Sequence, residues 1–326
     1  MPKAELHVHL EGTIDSSTLL TLAERHGVRP PADDAAGIDG WYRFDGFSQF
    51  LERYFHVLGL LRGPDDFALV AERYLATAHA EGVVHVEFHV SACGHIVENG
   101  REWGPIHDAI VAGCDAAAQT SGISWALIPD ISPHLPAAVC VEAMDQVFAH
   151  DLTHVAAIGM GGPADTWFTD DFSPIYRRAA AEGVRGVAHA AEHGSAAEVR
   201  FALEQFGAER IQHGIGVMSD PDVVQMLVDR GVACDVCPGS NLALAAVASP
   251  EEHPLPAMLD AGITVTLGSD DPPMFQTCLL DEYERAWEWC NLDVDGIRQL
   301  AANSLDASFA PRNRVDGWIE QLVSRE

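Results

Sequence analysis

Eight short apolar runs alternate with amphipathic stretches along this chain of 326 residues. The runs cover residues 4–10, 83–90, 123–130, 154–160, 184–190, 210–216, 232–238 and 263–270. The stretches between them carry apolar residues at helical spacing, and several end in glycine, as helices commonly do. Continuous apolar strands that alternate with helices predict a parallel sheet with both faces covered. Eight such units in one chain predict an α/β fold, the (β/α)8 barrel.

The same pattern also fits a doubly wound sheet, which is the alternative architecture. No G-x-G-x-x-G motif opens a helix after a strand, so the usual mark of that fold is missing. No Pro/Ser-rich linker, charge block or short-period repeat divides the chain. Because barrels of this length commonly form one domain, we expect a single domain over residues 1–326.

The gap between the first two runs is too long for one helical connection, since it covers residues 11–82. Within it, residues 38–61 are rich in aromatic side chains at helical spacing. An insertion after the first strand of a barrel lies at the catalytic face. We therefore expect residues 30–65, approximately, to form a helical lid, with the stretch from Trp41 to Phe55 over the barrel mouth. The alternative is an additional helical layer on the barrel.

The chain is strongly acidic, with 49 acidic and 19 basic residues and a formal net charge of -30. Such a surface repels phosphate backbones, so nucleic acid is not an expected partner. No apolar run approaches the roughly 20 residues of a membrane helix, and the N-terminus lacks a secretory pattern. The seven cysteines, an odd number, suit a reducing compartment. We therefore expect a cytoplasmic protein that does not bind membranes.

Two histidines share one face of the first run, because His7 and His9 are two residues apart in a predicted strand. Active sites of barrels are built from the C-terminal ends of strands, and other runs end in similar polar side chains. These are His189 in the fifth run, His213 in the sixth, and Asp270 and Asp271 in the eighth. Packing does not readily explain this pattern at matching ends of four strands, so we interpret these residues as one site.

Three nitrogen ligands and one oxygen ligand suit a zinc ion that keeps an open position for water. The candidates for that set are His7, His9, His189 and Asp270. Bound zinc lowers the pKa of its water to about 7. His213 and Asp271 are then placed to orient the water and to accept its proton. Glu192, on the turn that leaves strand five, can offer a proton to the substrate, a role that needs a carboxyl group distinct from the ligands.

Four segments resemble the four signatures of the adenosine deaminase family, in the family's order: PKAELHVHLEGT, HAAE, IQHG and LGSDDP. The resemblance spans almost the whole chain. It implies a zinc-dependent (β/α)8 hydrolase that replaces the 6-amino group of a purine by oxygen and releases ammonia. The implied cofactor is one zinc ion per chain, or another divalent metal in its place. The implied partner is a small purine or purine nucleoside.

The resemblance also implies a role for each matching residue. The metal ligands it implies are His7, His9, His189 and Asp270. Glu192 matches the acid that protonates purine N1, and His213 matches the histidine that handles the attacking hydroxide. Asp271 matches the aspartate that orients hydroxide and purine, and the backbone amide of Gly162 falls where purine N3 is contacted. The expected substrate-binding residues are His9, Glu11, Gly162 and Asp271.

The chain departs from the family's usual pattern mainly on the side where a sugar would lie. Ala191 stands where the family usually has the glycine of HAGE, and its methyl group would crowd that turn. Adenosine-specific members usually have an aspartate, which meets the ribose 5′-hydroxyl, where this chain has Glu11. Residues 161–164, GGPA, replace an AGDE stretch and lose two acids. Residues 132–136, SPHLP, replace an arginine-histidine-x-proline stretch.

Three substrates share this chemistry: adenosine, free adenine, and 6-aminodeoxyfutalosine, a nucleoside with a bulky 5′ substituent. Glu11 resembles the adenine-specific branch, whereas the stretches CPGSNLAL, EEHPLP and LGSDDPPMF resemble the aminodeoxyfutalosine branch. An uncharged, glycine-rich sugar side would admit a large 5′ group. We therefore expect a 5′-modified adenosine such as 6-aminodeoxyfutalosine, and with it a place in menaquinone biosynthesis. Adenosine and adenine are the alternative substrates.

Other protein classes fit the sequence less well. Many binuclear amidohydrolases need a carboxylated lysine at a strand end, but the only lysine, Lys3, precedes the first ligands. Small zinc deaminases use H-x-E and P-C-x-x-C. Residues 85–87, HVE, match the first motif, yet no cysteine pair begins with Pro-Cys. A non-catalytic purine-binding protein would be expected to lose Glu192, His213 or a ligand, and none is lost.

Overall fold

The computed structural model describes residues 1–162 and 169–324, and in them eight parallel strands form a barrel. The strands are β1 (Lys3–His9), β2 (Val83–Val90), β3 (Ser124–Ile131), β4 (Ala157–Met160), β5 (Arg185–Ala190), β6 (Arg210–His213), β7 (Ala233–Val236) and β8 (Val265–Leu267). Each strand pairs with the next one along the chain. The ring closes where Val8 of β1 pairs with Asp270, just beyond β8. The (β/α)8 barrel expected from the sequence is confirmed.

Helices connect the strands and pack around the barrel. In chain order they are α1 (Ser16–His26), α2 (Ala35–Tyr42), α3 (Phe47–Leu60), α4 (Pro64–Ala80), α5 (Trp103–Ser121), α6 (Ala137–Phe148), α7 (Ser173–Ala181), α8 (Ala196–Phe201), α9 (Pro221–Arg230), α10 (Pro238–Ala243), α11 (Leu255–Asp260), α12 (Pro272–Phe275), α13 (Leu279–Trp289), α14 (Val294–Asp306) and α15 (Arg312–Val323). Among the described residues, no helix combines the length and the apolar character needed to span a membrane.

Several strands are shorter than the apolar runs that predicted them. The eighth run covers residues 263–270, but β8 covers only Val265–Leu267. Asp270 has φ of 62°, which a regular strand does not allow, so β8 ends before this residue. Its backbone still meets β1, because the His9 N–H donates to the Asp270 carbonyl oxygen at 3.0 Å. The end of β8 is thereby fixed beside the two histidines of β1.

Charged side chains lie in the barrel interior beneath the strand ends. Arg210 of β6 is buried between Glu87 of β2, at 2.7 Å, and Asp235 of β7. Burial alone would raise the pKa of Glu87, but the charge of Arg210 lowers it to about 2. Buried charges persist only when they are paired, so these three side chains hold β2, β6 and β7 in one arrangement. That arrangement fixes Asp235, whose backbone contacts the candidate site.

Helices α1 to α4 occupy the gap between β1 and β2. The aromatic stretch predicted to cover the barrel mouth falls on α2 and α3. Side chains of α3 that line a cavity at the strand ends are Phe47, Phe50, Leu51, Tyr54, Phe55 and Leu58. Phe50 stacks on Phe275 of α12 with ring centroids 5.2 Å apart, which anchors α3 beside β8. Closure of this segment as a lid stays a prediction, as does the single domain over residues 1–326.

Candidate active site

Three imidazole nitrogens converge at the C-terminal ends of β1 and β5. His189 Nε2 lies 3.1 Å from His7 Nε2 and 3.2 Å from His9 Nε2. The carboxylate of Asp270 places Oδ1 3.4 Å from His9 Nε2 and 3.8 Å from His7 Nε2. The structure therefore brings together the four side chains that the sequence assigned to a metal.

Hydrogen bonds on the far side of two rings decide which nitrogen faces this cluster. His7 Nδ1 donates to the Asp235 carbonyl oxygen at 3.1 Å, and His189 Nδ1 donates to the Met160 carbonyl oxygen at 3.0 Å. A carbonyl oxygen only accepts, so each Nδ1 carries the proton and each Nε2 keeps its lone pair. An imidazole in this state is a metal ligand whose orientation is already set.

Burial keeps the imidazoles of the cluster neutral. It lowers the pKa of His7 and His9 well below the ordinary value, and it lowers the pKa of His189 to about 4. Ligand atoms bound tetrahedrally at about 2.1 Å from zinc lie about 3.4 Å from one another, close to the separations found here. Three neutral imidazoles and one carboxylate oxygen therefore fit zinc in donor type and in spacing.

Asp270 is held firmly for this role. Ser240 Oγ, on α10, donates to Asp270 Oδ2 at 2.6 Å, which leaves Oδ1 facing the imidazoles. The left-handed backbone of Asp270 is unfavourable for a residue with a side chain, and such a conformation persists only where the surroundings impose it. Strain of this kind is commonly found at functional sites.

Glu192 directs a carboxyl group into the same region. Its Oε1 atom is buried, lies 3.8 Å from His213 Nε2 and has no hydrogen-bond partner among the described residues. Burial raises the pKa of Glu192 to about 8, and the charges of Asp270 and Glu198 add to this effect. At neutral pH the group is therefore protonated and can donate a proton into the cavity.

His213 is oriented by two side chains behind it. Asn241 Nδ2 lies 3.2 Å from His213 Nδ1, and Asn241 Oδ1 lies 3.3 Å from His253 Nε2. All three side chains are buried. Because His213 Nδ1 contacts Asn241, the ring directs Nε2 toward the metal-ligand cluster, where it lies 4.0 Å from Asp270 Oδ2. The ring is thus positioned to contact a water molecule at the cluster.

Asp271 enters the site through space left by a glycine. A Cβ atom on Gly12 would lie 1.7 Å from Asp271 Oδ1, so this close approach requires glycine. Burial raises the pKa of Asp271 well above its ordinary range, and the charge of Asp270 raises it further. Asp271 Oδ1 has no hydrogen-bond partner within the described part of the chain. A buried acceptor of this kind is suited to bind a molecule in the cavity.

A cavity of about 880 Å³ extends from these residues to α3. The predicted site residues that line it are His9, Gly162, His189, Glu192, His213, Asp270 and Asp271. The opposite wall is largely apolar and comes from α3. A mostly apolar pocket of about 300–1,000 Å³ with a few converging polar groups is typical of a small-molecule site.

Comparison with known proteins agrees with this geometry. The adenosine deaminase family model matches residues 2–324. The chain belongs to the adenosine deaminase family. It is therefore an aminohydrolase, a hydrolase that acts on carbon–nitrogen bonds.

Several relatives within the family carry the name adenine deaminase. The protein from Streptomyces coelicolor is 36% identical over 309 residues, which cover 95% of this chain and 90% of that protein. The protein from Rhodopseudomonas palustris is 33% identical over 322 residues, which cover 99% of this chain and 93% of that protein.

Solved structures show the same arrangement over almost the full length. The adenine deaminase from Arthrobacter aurescens superimposes with a TM-score of 0.93 at 33% identity, covering 99% of this chain and 98% of that one. An amidohydrolase from Burkholderia ambifaria with bound Zn superimposes with a TM-score of 0.89 at 27% identity, covering 99% and 90%.

The departure from the family pattern at Ala191 leaves Glu192 facing the cavity. Ala191 has φ of 54°, the left-handed region that glycine adopts most readily. Its N–H donates to Glu198 Oε2 at 2.7 Å, and its carbonyl oxygen accepts from the Gly216 N–H at 2.7 Å. These bonds hold the turn in spite of the methyl group, so the expected crowding does not displace the acid.

Glu11 lies behind the residues that line the cavity. It is fully buried and is not among the residues that line the cavity. Its Oε1 accepts from the Ser91 N–H at 2.9 Å and from His95 Nε2 at 2.8 Å. Ser91 does line the cavity, so Glu11 holds the backbone of a residue in the cavity wall. Direct substrate contact by Glu11 stays a prediction.

The loop after β4 is only partly described. Gly162 lines the cavity, as expected for a residue beside the purine, although contact of its amide with purine N3 stays a prediction. Pro163 and Ala164, which replace acids of the family pattern, lie outside the described residues.

Sequence reasoning missed two polar residues at strand ends. His89, near the end of β2, and Asp130, near the end of β3, are both buried beside the site, and Asp130 lines the cavity. The signal was present, because the rule that found His189 applies equally to β2 and β3. By contrast, Asn241 and His253 follow β7 in irregular or short helical segments, where no spacing rule points to them.

Proposed function

We propose that this aminohydrolase removes the 6-amino group of adenine by adding water, which yields the 6-oxopurine and ammonia. The observation that carries the reaction type is the convergence of three imidazole Nε2 atoms and Asp270 in one cavity with the buried carboxyl of Glu192. Hydrolysis at an aromatic C–N bond needs an activated water and an acid that makes the ring electrophilic, and these groups would supply both.

The metal in this proposal is one zinc ion per chain. The residues that would hold it are His7, His9, His189 and Asp270. Bound zinc would supply Lewis acidity, which lowers the pKa of a water to about 7. Other divalent metals also bind nitrogen and oxygen ligands. Zinc is proposed because the types of the four ligand atoms and the distances between them suit it.

The chain's own residues would handle the protons. Glu192, with its pKa raised to about 8, would protonate a ring nitrogen of the purine and so make C6 easier to attack. His213 directs Nε2 into the space between Glu192 and Asp270, where it would orient the attacking water. Asp271, whose buried Oδ1 has no hydrogen-bond partner among the described residues, would accept the proton of that water.

Free adenine is the proposed substrate because of the relatives. Two relatives named adenine deaminase are 33% and 36% identical over at least 95% of the chain. Glu11 does not decide between the free base and a nucleoside. Its Oε1 is held by Ser91 and His95, but its buried Oε2 has no hydrogen-bond partner among the described residues.

A 5′-extended adenosine such as 6-aminodeoxyfutalosine is the second candidate, and the size of the cavity favours it. The volume of about 880 Å³ is near the upper end for small-molecule sites, and α3 adds an apolar wall that a 5′ substituent could cover. This was the substrate expected from the sequence, and the observation that favours it is independent of the relatives.

The experiment is a comparison of kcat/KM for adenine, adenosine, 5′-methylthioadenosine and 6-aminodeoxyfutalosine with protein loaded with one equivalent of zinc. We expect adenine to lead. The Glu192→Gln variant, prepared in parallel, controls for contaminating host deaminases. A lead of tenfold or more for a 5′-extended nucleoside would replace adenine by the second candidate. Absence of ammonia release from all four compounds would contradict the proposed reaction.

A further inference from the structure

His89 and Asp130 form a buried pair beside the ligand cluster. His89 Nδ1 lies 2.9 Å from Asp130 Oδ1 and 3.2 Å from Oδ2, so one N–H addresses both carboxylate oxygens. The pair joins the ends of two neighbouring strands, β2 and β3. The other ring nitrogen, His89 Nε2, is buried and has no hydrogen-bond partner among the described residues. Asp130 is therefore the polar partner that orients His89, and His89 orients Asp130.

The next strand is shaped to admit this pair. Gly159 of β4 pairs in register with Asp130. A Cβ atom on Gly159 would lie 2.0 Å from Asp130 Oδ1 and 3.0 Å from His89 Nδ1. Any larger residue would therefore displace the carboxylate, and β4 keeps the space open.

Asp130 also faces one of the candidate metal ligands. Asp130 Oδ2 lies 3.7 Å from His9 Nδ1, while Nε2 of the same ring faces His189 and Asp270. The corresponding nitrogens of His7 and His189 contact backbone carbonyl oxygens. His7 Nδ1 also lies 3.3 Å from the Cys237 thiol, so among the three candidate ligands His9 is the one whose Nδ1 faces a carboxylate in the described structure.

We propose that Asp130, held in place by His89, is the positioning residue for His9: its carboxylate lies 3.7 Å from His9 Nδ1 and favours the tautomer with the proton on Nδ1, which presents Nε2 to the metal. This inference rests on the proposed function, because it takes His9 as a zinc ligand. A carboxylate behind a ligand imidazole fixes its tautomer and orientation and strengthens it as a donor. Loss of such a partner typically weakens metal binding by about 10- to 100-fold.

The test is zinc affinity, measured by competition with a chromophoric chelator. Asp130→Asn should weaken zinc binding by about 10- to 100-fold, because an amide holds an imidazole N–H less strongly than a carboxylate does. His89→Asn should cause a smaller loss, since Asp130 remains but is less well fixed. Glu98→Gln is the matched control, because Glu98 is another cavity-lining carboxylate whose partner is His134, at 3.1 Å. Zinc affinity of this variant should stay at the wild-type value.

Three outcomes would overturn the proposal. Wild-type zinc affinity in Asp130→Asn together with a raised KM would make Asp130 a substrate contact instead. A second equivalent of zinc that binds wild type and disappears in Asp130→Asn would make His9, His89 and Asp130 a metal site of their own. Equal losses of zinc affinity in Asp130→Asn and Glu98→Gln would show a nonspecific effect of removing cavity charge.

Thermal melting of the metal-free wild type and variants distinguishes a loss of zinc affinity from a loss of folding. The proposal expects a weakened zinc affinity in Asp130→Asn even at temperatures where the metal-free variant is fully folded. Zinc binding that is lost only where the variant unfolds would reduce Asp130 to a structural role. The chelator assay uses no substrate, so a failure of adenine turnover would refute the proposed function and leave this test intact.

Discussion

Glu192 Oε1 lies 3.8 Å from His213 Nε2, and both atoms face the cavity beside the ligand cluster. The side chain of Glu192 is 19% exposed, so the acid is shielded from bulk water but open to a ligand. The two side chains are therefore suited to separate roles, proton donation and contact with water. A largely buried carboxyl retains a proton at neutral pH, while the neutral imidazole beside it contacts water at the cluster.

Replacement of Glu192 by Gln should leave zinc bound and lower kcat by at least about 100-fold, because an amide cannot donate a proton to the purine ring. Ammonia release and elemental analysis of the same preparation measure the two quantities. Glu98→Gln removes another carboxylate that lines the same cavity and whose partner is His134, and it serves as the control. Near-normal turnover in Glu192→Gln would assign the proton donor to another group.

The pH dependence of kcat/KM should show an alkaline limb that arises from Glu192. Burial raises the pKa of this acid to about 8, and the acid is active when protonated, so activity falls as the pH rises through that value. The positive charge of bound zinc favours the carboxylate and shifts the midpoint downward. Residual activity of Glu192→Gln should lack this limb. A wild-type profile that stays flat to pH 10 would contradict the assignment.

The purified protein should hold about one zinc ion per chain, as one set of four ligands implies. His189→Ala should lose both the metal and the activity, because His189 Nε2 lies within 3.2 Å of Nε2 of both His7 and His9. Inductively coupled plasma analysis after dialysis measures the content. Two tightly bound ions per wild-type chain would contradict a mononuclear site, and a fully loaded His189→Ala variant would remove His189 from the ligand set.

The sequence predicted the barrel and most of the site because both follow from short-range patterns. Apolar runs and helical spacing predict strands and helices, and the barrel rule brings His189 and Asp270 to the same end. The barrel rule does not say whether a side chain lines the cavity or is buried behind its wall. Glu11 is separated from its partner His95 by 84 positions in the chain, so no local pattern could show that it lies behind the cavity wall.

Other features depend on contacts that no spacing encodes. The Asn241 amide reaches His213 from a short helix after β7, and the partnership requires the folded arrangement of β6 and β7. Likewise, the sequence predicts helical spacing over residues 38–61, but the position of α3 over the strand ends is fixed by contacts such as Phe50 with Phe275.

The close approach of Gly12 to Asp271 leads to the last prediction. A methyl group on residue 12 would lie 1.7 Å from Asp271 Oδ1, and the surrounding backbone belongs to β1 and its following turn, so the carboxylate must move. A displacement of about 1 Å in a catalytic group can cost about 100-fold in rate. Gly12→Ala should therefore lower kcat by about that factor while the protein still binds zinc, because Asp271 is outside the proposed ligand set.

Gly317→Ala is the matched control for this prediction. Gly317 lies in α15, and a Cβ atom there would have no neighbour within 4 Å. Alanine is the better helix former, so this variant should keep wild-type kcat and gain about 0.5–1 kcal/mol of unfolding free energy. Steady-state kinetics and urea denaturation of both variants make the comparison. Wild-type kcat in Gly12→Ala would mean that the position of Asp271 does not limit the reaction, and the role of proton acceptor would then pass to His213.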